Sequence, residues 1–219
     1  MHALYLHGFG SGPASAKGTA LGRRLAGAVT SYAIPDLEGG DFRALTMPGI
    51  AGRALAAIAA LPDDGEGVLL IGSSLGGYSA ALLAAEGRIP RVAGILLIAP
   101  AFGFIERWRE LLGADGVAAW RATGERLFYH HVAERELPLA VGFLDSCQAL
   151  PLIPLPGEVP AVVVHGRRDE TVDWRYSRRY AEQEGDIDFH LIDGDHRLTD
   201  ARHEDLIAWC AHDLIARVR

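Results

Sequence analysis

The sequence predicts an α/β fold in which a mostly parallel sheet of about six strands carries helices on both faces. Short runs that are apolar throughout recur along the chain, and most are followed by an amphipathic or alanine-rich helical segment. Strands that are apolar on both faces need cover on each side, and intervening helices allow parallel pairing. A third observation, the long interval 102–158 without a clear strand, predicts an insertion into this alternating order.

Strand-like runs and helical segments alternate from the N-terminus onwards. The predicted strands are ALYLH (3–7), SYAIP (31–35), GVLLIG (67–72), VAGILLIAP (92–100), AVVVHG (161–166) and IDFHLI (187–192). The predicted helices lie at 13–28, about 48–61, 75–86, 173–184 and 199–217. Pro13 suits the first turn of the first helix, because proline lacks the N–H that has no partner there.

The interval 102–158 lies between two core strands and is too long for an ordinary loop. It is rich in aromatic residues and ends in the proline-rich LPLIPLPGEVP. We interpret it as a helical cap over the edge where the strands end, inserted into a single domain that spans 1–219. Most of its rings are expected to form the core of the cap, whereas Phe102 and Phe104, directly after a strand, are expected to face a pocket.

Composition restricts the possible partners. Lys and Arg total 21 and Asp and Glu total 28, so the formal net charge is −7, and no basic stripe is present. This balance disfavours nucleic acid as a partner. No apolar stretch approaches the ~20 residues that a membrane span needs, and no signal-peptide pattern is visible. We therefore expect a cytoplasmic protein, and the sequence leaves its oligomeric state open.

The two cysteines do not predict a disulfide or a metal site. Cys147 and Cys210 are too few and too far apart for a disulfide framework or a zinc site, so free buried thiols are expected. No metal-ligand spacing is found elsewhere, and the glycine-rich stretches match neither dinucleotide-binding nor phosphate-binding patterns. The sequence predicts no metal and no cofactor.

The stretch VLLIGSSLGGYSA (68–80) joins a strand to a helix through several small residues. It contains G-x-S-x-G with Ser74 at the centre, in the strand–turn–helix context of a nucleophile elbow. Such a turn lifts the serine hydroxyl above the sheet, and glycines let the helix approach the strand closely. Ser74 is therefore a predicted nucleophile. A glycine- and serine-rich turn without chemical function is the alternative.

A serine hydroxyl needs a base within hydrogen-bonding reach. In the α/β-hydrolase fold the acid and then the histidine follow the serine along the chain. The loop HGRRDETVDW after the next-to-last strand offers Asp169, and the loop DGDHRL after the last strand offers His196. We predict these two residues as acid and base.

Other residues compete for both roles. The alternative acids are Glu170, Asp173, Asp193 and Asp195. An acid adjacent to the histidine in sequence is poorly placed to reach the far ring nitrogen, and Asp195 is expected to make turn hydrogen bonds. For the base there are nine histidines, and a packed structural role is expected for His165 at the end of a strand. The other competitors are His130 and His131 in the insertion, His190 within a strand, and His203 and His212 on the last helix.

The first strand ends in LHGFGSG. In the α/β-hydrolase fold an amide of this loop and the amide after the serine bind the oxyanion of the tetrahedral intermediate. We assign these two donors to Phe9 and Leu75. The alternative for this stretch is a simple strand-to-helix turn.

Together, LYLHGFGSGPASAKG and GSSLGGY resemble the small bacterial α/β-hydrolase esterases of the YqiA-like group. The resemblance extends to RDETVDW and GDH, and it covers the core but not the insertion. It implies Ser74 as nucleophile, Asp169 as acid and His196 as base, as chosen from the residues. It also implies hydrolysis of carboxylic esters or acyl thioesters without a cofactor, with substrate choice residing in the insertion.

The combined expectation is a serine hydrolase, either a carboxylesterase or an acyl thioesterase. It would cleave small-molecule esters with an apolar acyl group through an acyl-enzyme intermediate, with Phe102 and Phe104 binding substrate. A non-catalytic ligand-binding protein on the same fold is an alternative from another class. Hydrolysis of a carbon–carbon bond by the same residues is a further alternative.

Overall fold

The structure, a computed structural model, describes residues 1–89 and 91–219. Its strands are β1 His2–Leu6, β2 Ser31–Ala33, β3 Val68–Ser73, β4 Val92–Ile98, β5 Glu125–His130, β6 Arg135–Ala140, β7 Ala161–Gly166 and β8 Ile187–Ile192. Its α-helices are α1 Ala16–Arg24, α2 Met47–Ala59, α3 Leu75–Ala85, α4 Phe104–Thr123, α5 Gly142–Ser146, α6 Trp174–Ala181 and α7 Ala201–Val218.

The main sheet has six strands in the described part of the chain, in the order β2-β1-β3-β4-β7-β8. Every pairing within it is parallel. The predicted sheet is thus confirmed. Strand order changes direction between β1 and β3, and ligands of such sheets bind outside the carboxyl ends of the strands at this switch point. The loops after β1 and β3 therefore meet where a site is expected.

Successive residues of each central strand bury on opposite faces of the sheet. On β3, Leu70 packs into a core shared with α2, α3 and the insertion, whereas Leu69 and Ile71 pack into a second core with α1 and α7. Each of these side chains is 0 % exposed. Burial on both faces explains why the strands are apolar throughout, and it fixes the carboxyl edge of the sheet rigidly.

The first helix is shorter than predicted. It begins after Ser15, whose hydroxyl accepts a hydrogen bond from the N–H of Gly18 across 3.2 Å, so Pro13 lies before the helix and not in its first turn. A serine that caps the chain in this way sets the start more strongly than the proline two residues earlier.

The insertion contains a β-hairpin as well as helices. Helix α4 is interrupted at Gly113, where φ is 63°, and the antiparallel strands β5 and β6 separate it from α5. The expected helices are present, but the expectation that 102–158 contains no clear strand is wrong. Apolar residues occur on both faces of β5, since Leu127 is 55 % exposed and Phe128 packs inward, and this hides the alternation that predicts a strand.

Among the described residues, none of the helices has the length and apolar character needed to cross a lipid bilayer.

Cys147 and Cys210 are both buried free thiols, and burial raises the pKa of Cys147 to about 12 and that of Cys210 to about 11.

Candidate active site

Ser74 occupies the turn between β3 and α3 in a conformation that residues with a side chain rarely adopt. Its φ is 53° and its ψ is −118°. The N–H of Ser74 donates to the carbonyl of Ile98 across 2.9 Å, and its carbonyl accepts from the N–H groups of Tyr78 and Ala101. Such a conformation costs roughly 1–3 kcal/mol and persists where surrounding hydrogen bonds enforce it. The backbone thus holds the Ser74 hydroxyl at the carboxyl edge of the sheet.

Two glycines make this turn possible. A methyl group on Gly72 would collide with the backbone of Gly76, and one on Gly76 would collide with the carbonyl oxygen of Leu6 on β1. Helix α3 therefore rests directly on the ends of β1 and β3, which only residues without Cβ permit. This contact brings the turn at Ser74 against the loop after β1.

The structure brings the side chains of Ser74, His196 and Asp169 into one hydrogen-bonded chain. Nε2 of His196 lies 3.0 Å from Oγ of Ser74. Nδ1 of the same ring lies 2.7 Å from Oδ2 of Asp169. The three residues come from the loops after β3, β8 and β7, and they meet because parallel strands end at the same edge of the sheet.

Asp169 is enclosed and surrounded by hydrogen-bond donors. Its side chain is 0 % exposed. Oδ1 accepts from the N–H groups of Thr171 and Val172 across 2.9 and 2.8 Å, and Oδ2 faces both His196 and His165. Burial by itself would raise the pKa of Asp169, but the hydrogen bonds from His165, His196 and Val172 outweigh it and hold this pKa well below its ordinary range. The carboxylate is therefore ionised at neutral pH.

An ionised Asp169 fixes the tautomer of His196. A carboxylate only accepts hydrogen bonds, so Nδ1 of His196 must carry the proton that lies between them. In the neutral ring Nε2 then has a lone pair, which faces the hydroxyl of Ser74. This arrangement can remove the proton of the serine when its oxygen attacks an electrophile.

The loop after β1 lies beside Ser74. A methyl group on Gly8 would stand 3.3 Å from Cβ of Ser74, so this backbone is close to the predicted nucleophile. The N–H groups of Phe9 and Leu75, the two predicted oxyanion donors, donate to no acceptor among the described residues. The side chain of His7 links this loop to the segment at Leu37. Its Nδ1 lies 3.0 Å from the carbonyl oxygen of Gly8, and its Nε2 accepts from the N–H of Leu37.

The ring of Phe9 lies in a cluster of aromatic side chains. Its centroid is 5.1 Å from that of Trp108, 5.4 Å from Phe128 and 5.9 Å from Phe143, all in the insertion, and 5.2 Å from Phe42. Trp108 and Phe128 stack with an interplanar angle of 19°. The aromatic residues of the insertion thus pack on the loop after β1 and on one another.

Phe102 and Phe104 border a cavity of about 360 Å³ that also reaches Asp169, Trp174 and Tyr176. In the described part of the chain, neither Ser74 nor His196 lines it. Both phenylalanines are mainly core residues, with exposures of 1 % and 7 %. A role of either ring in binding substrate remains a prediction.

The competing acids occupy other positions. Asp173 accepts a hydrogen bond from the N–H of Arg175 at the start of α6, and Oδ1 of Asp195 accepts from the N–H groups of Arg197 and Leu198. Asp195 therefore makes the turn hydrogen bonds expected of it. Glu170 borders the cavity.

Sequence reasoning missed three polar neighbours of the site. His165, expected to be a packed structural residue, contacts Asp169 directly through Nε2 across 3.0 Å. His7 supports the loop after β1, and Lys17 donates to the hydroxyl of Ser73, the residue before Ser74, across 3.1 Å. The positions of His165 and His7 at the ends of β7 and β1 were visible in the sequence, whereas Lys17 lies on α1, and the partner of each is set by packing between distant segments.

Solved structures of known proteins share this fold. A putative hydrolase from Agrobacterium vitis S4 superposes with a TM-score of 0.84 at 23% identity, covering 98% of this chain and 87% of that chain. The alpha/beta hydrolase domain-containing protein 10 from mouse superposes with a TM-score of 0.82 at 23% identity, covering 100% of this chain and 90% of its own. The esterase domain of a Rhodothermus marinus protein superposes with a TM-score of 0.68 at 20% identity, covering 99% of this chain and 86% of that chain. These similarities confirm the α/β-hydrolase fold.

A match to a protein-family model is more specific than the shared fold. No curated protein matches the chain. The model of an uncharacterised protein family, UPF0227, matches residues 2–208, which include the elbow and the loops that carry Asp169 and His196. The resemblance to the YqiA-like group is confirmed, and the chain belongs to the family UPF0227.

Proposed function

We propose that this protein is a serine hydrolase that cleaves carboxylic esters or acyl thioesters of small apolar acyl groups. The observation that carries the proposal is the hydrogen-bonded chain from Oγ of Ser74 through His196 to Asp169, with distances of 3.0 and 2.7 Å. The strained conformation of Ser74 supports it as well, because such strain concentrates at functional sites.

In the first half of the reaction, Nε2 of His196 takes the proton of Ser74 as Oγ attacks the acyl carbonyl carbon. Asp169 stabilises the imidazolium and keeps the ring oriented. The N–H groups of Phe9 and Leu75 donate to the oxyanion, and one such donor contributes about 3–4 kcal/mol to transition-state stabilisation. The tetrahedral intermediate collapses when His196 returns the proton to the departing alcohol or thiol, which leaves Ser74 acylated.

In the second half, water replaces the leaving group. His196 takes a proton from the water as its oxygen attacks the acyl carbon, and the same amides bind the second oxyanion. The proton then passes to Oγ of Ser74 and the free carboxylic acid departs. No cofactor takes part in either half.

The small apolar acyl group is an expectation from the sequence. The cavity of about 360 Å³ bordered by Phe102, Phe104 and Trp174 does not carry it, because among the described residues neither Ser74 nor His196 lines that cavity. The named esterase domain of Rhodothermus marinus has the same fold. We extend that reaction class to this chain on the strength of its own three side chains.

The test combines covalent labelling with turnover. Purified protein is treated with a fluorophosphonate probe and assayed on p-nitrophenyl esters and acyl-CoA thioesters from acetyl to dodecanoyl. Ser74→Ala should abolish both labelling and turnover, and His196→Ala should lower kcat by at least ~10³-fold. Ser73→Ala is the matched control, since this neighbouring serine bonds to Lys17 and should leave Ser74 labelled.

The outcomes separate the alternatives. Wild-type protein that neither labels nor hydrolyses any ester would favour a ligand-binding protein and overturn the proposal. Labelling at Ser74 without ester or thioester turnover would direct substrate profiling to compounds with a cleavable carbon–carbon bond. Unchanged turnover in His196→Ala would mean that a different residue is the base.

A further inference from the structure

A second imidazole contacts the carboxylate of Asp169. His165, near the end of β7, is 0 % exposed, and its Nε2 lies 3.0 Å from Oδ2 of Asp169. This is the oxygen that faces Nδ1 of His196 across 2.7 Å. On the other side of the His165 ring, Nδ1 lies 2.7 Å from the hydroxyl of Ser177 on α6, which is also 0 % exposed.

The hydrogen-bond partners of His165 determine which ring nitrogen donates to Asp169. Nε2 faces two acceptors, Oδ2 of Asp169 and the carbonyl oxygen of Val172 at 3.3 Å, so it carries the hydrogen. Nδ1 faces the hydroxyl of Ser177, which can donate, so Nδ1 needs no proton. His165 therefore donates to Asp169, and both of its ring nitrogens have partners.

The contact orients the acid. A carboxylate held only by His196 could turn about its Cβ–Cγ bond, because that ring moves with its own loop. His165 belongs to β7 of the main sheet and is hydrogen-bonded to Ser177 of α6, so its contact with Oδ2 does not depend on the loop that carries His196. Thr171 and Val172 fix Oδ1 in the same way. All four hydrogen bonds together leave one orientation for the carboxylate.

We propose that His165 is a positioning residue of the reaction, holding Asp169 so that Oδ2 meets Nδ1 of His196 in the productive geometry. The inference rests on the proposed function, since it assigns His165 a part in the hydrolysis begun by Ser74. It acts only through Asp169 and touches no reacting atom.

The test compares two substitutions at this position. His165→Leu fills the space with an apolar side chain and removes the donor, and it should lower kcat by about tenfold with little change in KM. His165→Gln can place an amide N–H near Oδ2, and it should recover most of the lost kcat. A residue that merely fills the core would give the opposite order, because leucine suits an apolar site better than glutamine does.

A double-mutant cycle identifies the route of the effect. In the Asp169→Asn background, His165→Leu should cost little further activity, because the carboxylate that it positions is gone. Fully additive losses would overturn the proposal, as would unchanged kcat in His165→Leu. If His165→Leu does not fold, Ser177→Ala replaces it, with a smaller loss of kcat that should also vanish beside Asp169→Asn.

The controls separate this inference from the proposed function. Wild-type activity that disappears in Ser74→Ala, combined with an unaffected or purely additive His165→Leu, would reject the role of His165 and retain the serine hydrolase. Wild-type protein that neither hydrolyses esters nor labels at Ser74 would overturn both.

Discussion

His131 donates its backbone N–H to the carbonyl oxygen of Gly10 across 2.6 Å, which ties the end of β5 to the loop after β1. The ring of Phe9, one residue earlier in that loop, packs against Phe128 of the same strand and against Trp108 of α4. The insertion therefore holds the loop at two successive residues.

This contact gives the insertion a role in catalysis if Phe9 donates to the oxyanion. The loop HGFGSG contains three glycines and has high conformational freedom by itself. Oxyanion donors stabilise a transition state only when they are fixed before it forms. Since the aromatic rings pack around Phe9, they fix the loop as well as forming a core for the insertion.

Loosening this cluster should slow the reaction. Phe128→Leu keeps an apolar side chain but removes the stacked ring at 5.0 Å from Trp108 and the contact with Phe9. We expect kcat to fall by about tenfold with little change in KM, because the Phe9 amide is no longer held in place. Steady-state kinetics on the best p-nitrophenyl ester measure the effect.

Leu127→Ala is the matched control for this change. Leu127 neighbours Phe128 on β5, but its side chain is 55 % exposed and outside the cluster. Its substitution should leave both kcat and KM near the wild-type values. Equal losses in the two variants, or a rise in KM alone in Phe128→Leu, would contradict a role in fixing the oxyanion loop.

Much of the fold and the central contact could be predicted from the sequence. Strands β3 and β7 are buried on both faces, so their apolar runs are unbroken, and topology places the residues that follow them at one edge. The positions of Ser74, Asp169 and His196 followed from this regularity together with short motifs. Such features depend on local sequence and on rules that all parallel sheets obey.

The rest depends on contacts between distant segments. Pro138 lies within β6 opposite Leu127, a position that a central strand would exclude but that a two-stranded hairpin tolerates. The contact of His165 with Asp169 depends on the course of the loop between them and on Ser177 of α6. Neither feature is marked by a local sequence pattern. The sequence also does not distinguish aromatic rings of the insertion that face substrate from rings that pack on Phe9.

The close contact of α3 with the sheet predicts a severe effect of one added methyl group. In Gly76→Ala the new Cβ would meet the carbonyl oxygens of Leu6 and His7, which belong to backbone and have no room to move. We expect a loss of about 3 kcal/mol or more in the free energy of unfolding. Urea denaturation followed by circular dichroism measures it.

The control is a glycine in another helix. A methyl group on Gly52 of α2 would meet nothing within 4 Å. Gly52→Ala should therefore raise the free energy of unfolding by up to ~1 kcal/mol, as the helix propensities of the two residues require. A Gly76→Ala protein as stable as the wild type would contradict the prediction, because it would show that the backbone around position 76 can accommodate a methyl group.

The depressed pKa of Lys17 predicts that stability rises with pH in alkaline solution. Burial lowers the pKa of its ammonium to about 8, although the carboxylates of Asp169 and Asp195 oppose the shift. Between that value and the ordinary pKa near 10.5, the unfolded chain binds more protons than the folded one. The contribution of Lys17 to the free energy of unfolding therefore rises with pH across this window. Relative to Lys17→Met, the wild type should gain stability from pH 8 upwards, and parallel curves of the two proteins would contradict the prediction.

The depressed pKa of Asp169 predicts a dependence of the same sign in acid, where stability again rises with pH. Its pKa is lower in the folded protein than in the unfolded chain, since donors from His165, His196 and Val172 surround the carboxylate. The stability that it contributes is complete above the unfolded pKa near ~3.9 and is lost as pH falls towards the folded value. The difference in unfolding free energy between wild type and Asp169→Asn should thus shrink as the pH falls below about 4. Asp63→Asn, at an exposed position, is the control. A difference for Asp169→Asn that stays constant down to about pH 2 would show that its carboxylate is not held by these donors.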